Sequence, residues 1–295
     1  MVNREILEGL CDSFSFYHKG HFGLHKGYTK DSYNLKRHIM TKSAGFIGGG
    51  RVTRILLQGF KNKNIHLGKV VVADTNTEVL ANLKKYFPKI ETSDASGAAG
   101  QDIVFIALHP PVLMDTIEAV KGSVKSDSTV ISLAPKINLA KLAMKLPQVN
   151  NMARLIPNAT SYINEGYNPV TFSSGFDPSH KGVVLDLLKN LGTTLEVSEE
   201  KLESYAIISA MLPTYFWFQW KELEEIGEKT GLSQKESRDA VHETIKASLD
   251  LMYKSGLTAS EVIDLIPVKP IGEHEQQISE IYRTKLIGLF EKIKP

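Results

Sequence analysis

Apolar residues follow two patterns along this chain, and the pattern changes near residue 199. From residue 42 to about 198, short uninterrupted apolar runs alternate with stretches of helical spacing. The runs at 44–47, 69–73, 103–108, 129–133 and 152–156, followed by 170–172 and 194–197, predict strands. A strand that is apolar at every position is buried on both faces, which is the condition of a parallel sheet covered by helices. Beyond residue 199 the spacing is helical over 202–230, 233–254, 258–265 and 273–292. Gly231 is placed to end the first of these helices, and Ser233 to open the next with Glu236 completing a capping box. The pattern therefore predicts an extension (1–41), an α/β domain (42–198) and an all-helical domain (199–295).

The junction of the first strand and first helix reads Gly45-Phe46-Ile47-Gly48-Gly49-Gly50-Arg51-Val52-Thr53. A pyrophosphate can lie against the N–H groups of a helix N-terminus only if no side chain stands in its way, which is why such turns are made of glycine. In the dinucleotide register the fingerprint is Gly48-x-Gly50-x-x-Thr53, with Thr where Gly or Ala normally allows close helix packing. Asp74 ends the second strand, about 20 residues on, where a ribose-binding carboxylate belongs. Without these flanking strands the glycines would fit a plain flexible turn equally well. Asp74 accepts from a ribose 2′-hydroxyl and repels a 2′-phosphate, and Thr75-Asn76-Thr77 holds no arginine, so NADH is favoured over NADPH, with Arg51 within reach of a 2′-phosphate as the contrary signal.

In such sheets chemistry sits at the carboxyl ends of the strands. Three successive strands here end in X-Pro turns: Ala107-Leu108-His109-Pro110-Pro111, Leu133-Ala134-Pro135-Lys136 and Leu155-Ile156-Pro157-Asn158.

Composition narrows the functions. The 295 residues are 42% hydrophobic and 23% charged with a net charge of +2, too little for a nucleic-acid or anionic-membrane surface. Cys11 is the only cysteine, which rules out an intramolecular disulfide and points to a reducing, cytoplasmic setting. The first thirty residues carry Glu5, Glu8 and Asp12 without a continuous apolar core, unlike a signal or transit peptide. The uncharged stretch 204–219 is short for a membrane span and holds Pro213, so a buried helix is expected. Residues 1–41 are rich in aromatics and histidine. Glycines between His18, His21 and His25 break the helix that would align them with Cys11, so no metal is assigned, and a surface arm docking on the body or a partner subunit is expected. Tyr215, Phe216, Trp217, Phe218 and Trp220 crowd one helix, which fits either a subunit interface or core packing.

Gly-Phe-Ile-Gly-x-Gly at 45–50, Ala107-x-His109-Pro110, Ile131-Ser132 before a turn, Arg154-Leu155-Ile156-Pro157-Asn158 and Pro213-x-Tyr215 together resemble the pyrroline-5-carboxylate reductase family, over about residues 43–270. The resemblance implies a Rossmann-type parallel-sheet domain followed by an all-helical dimerisation domain, a homodimer or higher homo-oligomer, and reduction of a small cyclic imine by NADH or NADPH. It places Gly48, Gly49, Gly50 and Arg51 at the pyrophosphate with Gly45, Phe46 and Ile47 in the same cofactor site, Ala107, Leu108, His109, Pro110, Ala134 and Lys136 by the nicotinamide, and Asn158 on the same wall.

The chain departs from that family where the substrate would bind. His109-Pro110 replaces the usual Lys-Pro, Lys136 a Gly, and Pro270-Ile271-Gly272-Glu273-His274 aligns with a Pro-Gly-Gly-Thr-Thr loop. A carboxylate at Glu273 would repel a substrate carboxylate unless His274 is protonated or Lys136 compensates, so a substrate without a carboxylate is an open alternative. Near-attack geometry with water excluded is expected to supply most of the catalysis. His109, Tyr215 and His274 are the acid candidates, Lys136 an anion anchor, and Gly272 and Glu273 substrate-loop residues, each with a purely structural role as its alternative. Two other readings stand beside this one: a carbonyl reductase resembling the β-hydroxyacid dehydrogenases, with Lys221 but without that pattern's surrounding Gly and Asn, and a cofactor-binding regulator without turnover.

Overall fold

The seven predicted apolar runs and one further segment pair into one sheet of eight strands: β1 (Ser43–Ile47), β2 (Lys69–Ala73), β3 (Glu91–Ser93), β4 (Ile103–Ile106), β5 (Thr129–Ser132), β6 (Asn151–Leu155), β7 (Gly166–Phe172) and β8 (Gly192–Glu196). The computed structural model describes residues 41–295, which lie within one compact unit; the expectations for the extension, with Cys11, His18, His21 and His25, fall outside the described residues apart from Thr41.

The strand order is β3-β2-β1-β4-β5-β6-β7-β8. Neighbours run parallel except β6 and β7, so the expected all-parallel sheet is corrected at that one pair. The chain folds this way because the central strands are buried along their whole length and need helices on both faces; Phe46 and Phe105 on adjacent β1 and β4 stack with ring centres 4.7 Å apart. Strand order reverses about β1, opening a crevice at the carboxyl ends of β1 and β4.

The helices are α1 (Arg51–Asn62), α2 (Thr77–Tyr86), α3 (Ala95–Ala99), α4 (Pro110–Val120), α5 (Leu139–Lys145), α6 (Pro178–Leu188), α7 (Leu202–Tyr205), α8 (Leu212–Lys229), α9 (Gln234–Lys254), α10 (Ala259–Asp264) and α11 (Glu275–Ile293). Side chains of Asn76, Asp94, Asn138 and Asp177 cap α2, α3, α5 and α6. The Ser233–Glu236 capping box forms at α9, and Gly231 takes the positive φ of +107° that ends α8.

No strand follows Glu196. The predicted helix over 202–230 is broken into α7, a π-helical turn at Ala206–Ala210 and α8, with Pro213 in the first turn of α8. The expected buried helix over 204–219 is not buried in a single chain: Ile208, Leu212 and Phe218 are exposed. Among the described residues α8, α10 and α11 bury no residue, and Trp217 is 48% and Phe218 67% exposed. No described helix is long and apolar enough to cross a membrane.

Candidate active site

The turn after β1 is shaped by three glycines for three different reasons. Gly48 has φ +107°, and a Cβ there would stand 2.4 Å from the Ala107 carbonyl oxygen. The Gly49 N–H donates to Asp74 Oδ2 at 2.8 Å. Gly50 is the N-cap of α1 with ordinary φ of −71°, lacks a side-chain cap, and a Cβ built on it meets nothing within 4 Å. The first turn of α1 contains no acidic residue, so no side chain competes for its N–H groups or for the positive end of its dipole. A pyrophosphate fits such a cradle, and a side chain at Gly50 would occupy it. Thr53, at the third fingerprint position, is buried, and its Oγ1 donates to Gly48 O at 2.5 Å, so it fastens the helix to the turn that a glycine would merely let approach.

Gly45, Phe46 and Ile47 lie beneath this turn rather than on it. A Cβ on Gly45 would stand 1.8 Å from Ala98 O of α3, Phe46 is fully buried in its ring stack and Ile47 belongs to the core.

Hydrogen bonding sorts the remaining candidates into committed and free side chains. Asp74 is committed: beyond Gly49, its Oδ1 accepts the Asn76 N–H at 2.8 Å, so the carboxylate braces the turn from both oxygens. Asn158 is buried; its Nδ2 donates to Ser209 O at 2.8 Å while its Oδ1 accepts the Thr160 N–H at 2.9 Å and the Thr160 hydroxyl at 2.7 Å, which makes it a joint between the β6 end and the π-helical turn. The Tyr215 hydroxyl donates to Ile207 O at 2.9 Å, and burial, with Tyr282 nearby, pushes its pKa up. Glu273 and His274 form an exposed pair at 3.4 Å in the one-turn helix Gly272–His274 ahead of α11. Among the described residues no hydrogen bond or ion pair joins that loop to the strand ends.

Free side chains remain at the strand ends. Arg51, His109 and Lys136 are exposed, and their side chains have no hydrogen-bond or ion-pair partner among the described residues. They follow β1, β4 and β5, three adjacent strands. Ala107 joins the two sides, its N–H donating to Ile47 O at 2.8 Å and its carbonyl packed on Gly48. Leu108 is half-buried, His109 is the N-cap of α4, Pro110 opens that helix and Ala134 is buried behind Lys136.

Sequence reasoning missed Arg154, Glu199 and Glu203. Arg154 is fully buried at the end of β6; its Nη1 meets Glu199 Oε1 at 3.0 Å and its Nη2 bonds Glu203 Oε1, while its Nε has no partner. The signal was an arginine inside the apolar run Met152-Ala153-Arg154-Leu155-Ile156, since a buried guanidinium demands acidic partners.

Known proteins of this architecture bear on the site. The profile of the family described as NADP oxidoreductase, coenzyme F420-dependent, matches residues 43–136. Pyrroline-5-carboxylate reductase of Staphylococcus aureus (strain COL) is 23% identical over 251 residues, 83% of this chain and 92% of that protein. The structure of Plasmodium falciparum pyrroline carboxylate reductase with NADP bound superposes with a TM-score of 0.68 at 22% identity, covering 86% of this chain and 96% of the other. The Streptococcus pyogenes 1-pyrroline-5-carboxylate reductase gives 0.64 at 20% identity, covering 86% and 96%. With its sheet, its glycine turn and its helical C-terminal region in the same order, the chain is similar to these pyrroline-5-carboxylate reductases and shares their fold.

Proposed function

We propose that this protein reduces the C=N bond of a small cyclic imine at the carboxyl ends of β1, β4 and β5. The bare, uncapped start of α1 at Gly50 is the observation that carries it, because nothing in the fold requires the cradle to be empty of side chains. A bound reduced nicotinamide cofactor would supply the hydride. Gly48, Gly49, Gly50 and Arg51 would hold its phosphates, and Ala107, Leu108, Pro110 and Ala134 would line the far end of the crevice. His109 is the proton donor favoured by geometry, having no competing partner, whereas the hydroxyl of Tyr215 and the side chain of Asn158 are already engaged. Lys136 anchors an anionic group of the substrate. Each Asp74 oxygen keeps a lone pair beyond its bond to Gly49 or Asn76, so the carboxylate can still accept a ribose 2′-hydroxyl.

Residues 42–198 act in this scheme as the dinucleotide-binding domain and 199–295 as the substrate and dimerisation domain, in a homodimer or larger homo-oligomer. The exposed apolar side chains of α8 to α11, Trp217 and Phe218 foremost, support a second copy covering them, which would bring its own Gly272–His274 turn to the site and exclude water. A cytoplasmic setting belongs to the same proposal, from the single cysteine. Glu273 in that turn supports a second reading, an imine without a carboxylate. Oxidation of NADH and NADPH measured with 1-pyrroline-5-carboxylate and with 1-pyrroline tests both: turnover with either establishes imine reduction and the ratio shows whether a carboxylate is recognised. Cofactor binding without turnover on either imine would defeat the proposal.

A further inference from the structure

Lys136 holds a backbone φ of +73°, a region that a residue with a side chain occupies only where its surroundings impose it. Its N–H donates to Glu203 Oε1 at 3.3 Å, and the N–H of Leu139, which opens α5, donates to Glu199 Oε1 at 2.7 Å. Those same two oxygens are the ones Arg154 holds. One buried guanidinium at the end of β6 thus fixes two carboxylates, and each carboxylate passes a hydrogen bond on to the loop after β5.

Stability alone does not explain the arrangement. Removing both charges of a buried ion pair in favour of apolar side chains is often neutral or stabilising, and Arg154 Nε lacks a partner, so this network is not optimised for binding energy. What it does supply is geometry. Glu203 sits on α7, which continues into the π-helical turn whose Ser209 carbonyl accepts from Asn158, so the loops after β5 and β6 are both tied to the start of the helical region.

We propose that Glu203, braced by Arg154, is a positioning residue that fixes the backbone at Lys136 and thereby aims this edge of the site at the substrate. It acts through the loop and touches neither cofactor nor substrate. The inference rests on the imine-reductase reading only for its kinetic consequence; the loop geometry can be measured without turnover.

Hydrogen–deuterium exchange of the full-length protein, followed on the peptide spanning residues 133–139, is the direct test. Glu203→Met removes the acceptor and should speed exchange there about fivefold to tenfold, the loss of one hydrogen bond, with exchange over 43–62 and the Kd for NADPH unchanged. Glu203→Gln keeps an acceptor oxygen and should stay within about twofold of the parent, as a conservative replacement does when geometry is what matters. The paired Arg154→Met/Glu203→Met protein leaves no lone buried guanidinium and serves if Glu203→Met fails to fold; it should show the same faster exchange at an unchanged Tm. Where the parent turns over an imine, both Met variants should lower kcat/KM for the imine about tenfold at unchanged cofactor Kd. Unchanged exchange over 133–139 in the Met variants, or faster exchange with imine kcat/KM intact, overturns the proposal. A parent without imine turnover defeats the functional reading instead, and the exchange result still decides the role of Glu203.

Discussion

Replacing Gly50 with alanine separates the cost to the fold from the cost to the cofactor. Gly50 has φ −71° and ψ −161°, which alanine adopts freely, and the added Cβ meets no atom within 4 Å. Alanine is a poorer N-cap than glycine by about 0.5–1 kcal/mol, and the lost freedom of the unfolded chain returns roughly 0.4–1 kcal/mol. The net change is under about 1 kcal/mol, a Tm shift of no more than about 3 °C for a chain of this size. A pyrophosphate is affected differently, since hydrogen bonds to a charged group contribute about 1.5–3 kcal/mol each. Displacing two of them should weaken NADPH binding about 100-fold or more. Gly48→Ala is the contrasting control: positive φ and overlap with Ala107 O make it lose about 2 kcal/mol or more of stability as well as cofactor affinity. Thermal melts paired with NADPH fluorescence titrations read both quantities. A folded Gly50→Ala protein whose affinity stays within about threefold of the parent would refute the assignment of this turn to the pyrophosphate.

Other consequences follow from the same geometry. Asp74→Asn removes one of the two acceptors bracing the turn and should weaken NADH and NADPH alike; a ratio of Kd values that shifts strongly toward NADPH would instead identify Asp74 as the ribose discriminator. Asp102, whose burial is outweighed by hydrogen bonds from Ser43 and Lys125, is held at about 2, below the ordinary 3.8. Its contribution to stability is therefore present above about pH 4 and lost as pH falls toward 2. Urea unfolding of Asp102→Asn should show lower stability at pH 7 and a flatter decline over that window; an acid slope identical to the parent's would contradict this. Trp217→Asp/Phe218→Asp should convert a sedimenting dimer to monomer, whereas a parent already monomeric at micromolar concentration would remove the second copy from the account.

Strands whose burial is set by their own composition were legible in the sequence. The run Lys69–Ala73 is found at its predicted ends because Val70, Val71 and Val72 admit no other reading. Glu91–Ser93 was not legible: it is an exposed edge strand without an apolar residue, created by pairing with β2, and α3 after it is a short run of alanines, serine and glycine capped by Asp94. Pro169 hid the first half of β7, where it is tolerated because β6 pairs only from Val170 onward and the proline contributes its carbonyl to Ile156. The glycine turn was readable since its spacing is local. The hydrogen bonds of Asp74, Asn158 and Tyr215 were not, because each reaches a backbone group that sequence spacing does not locate. Arg154 was the one long-range feature with a local sign.

Absorbance of NADH and NADPH at the nicotinamide band, followed with purified protein and 1-pyrroline-5-carboxylate against a blank without imine, tests the central claim most directly. Imine-dependent oxidation that Gly50→Ala abolishes is the result expected. Tight cofactor binding with no oxidation above the blank, on this imine and on 1-pyrroline, would contradict it.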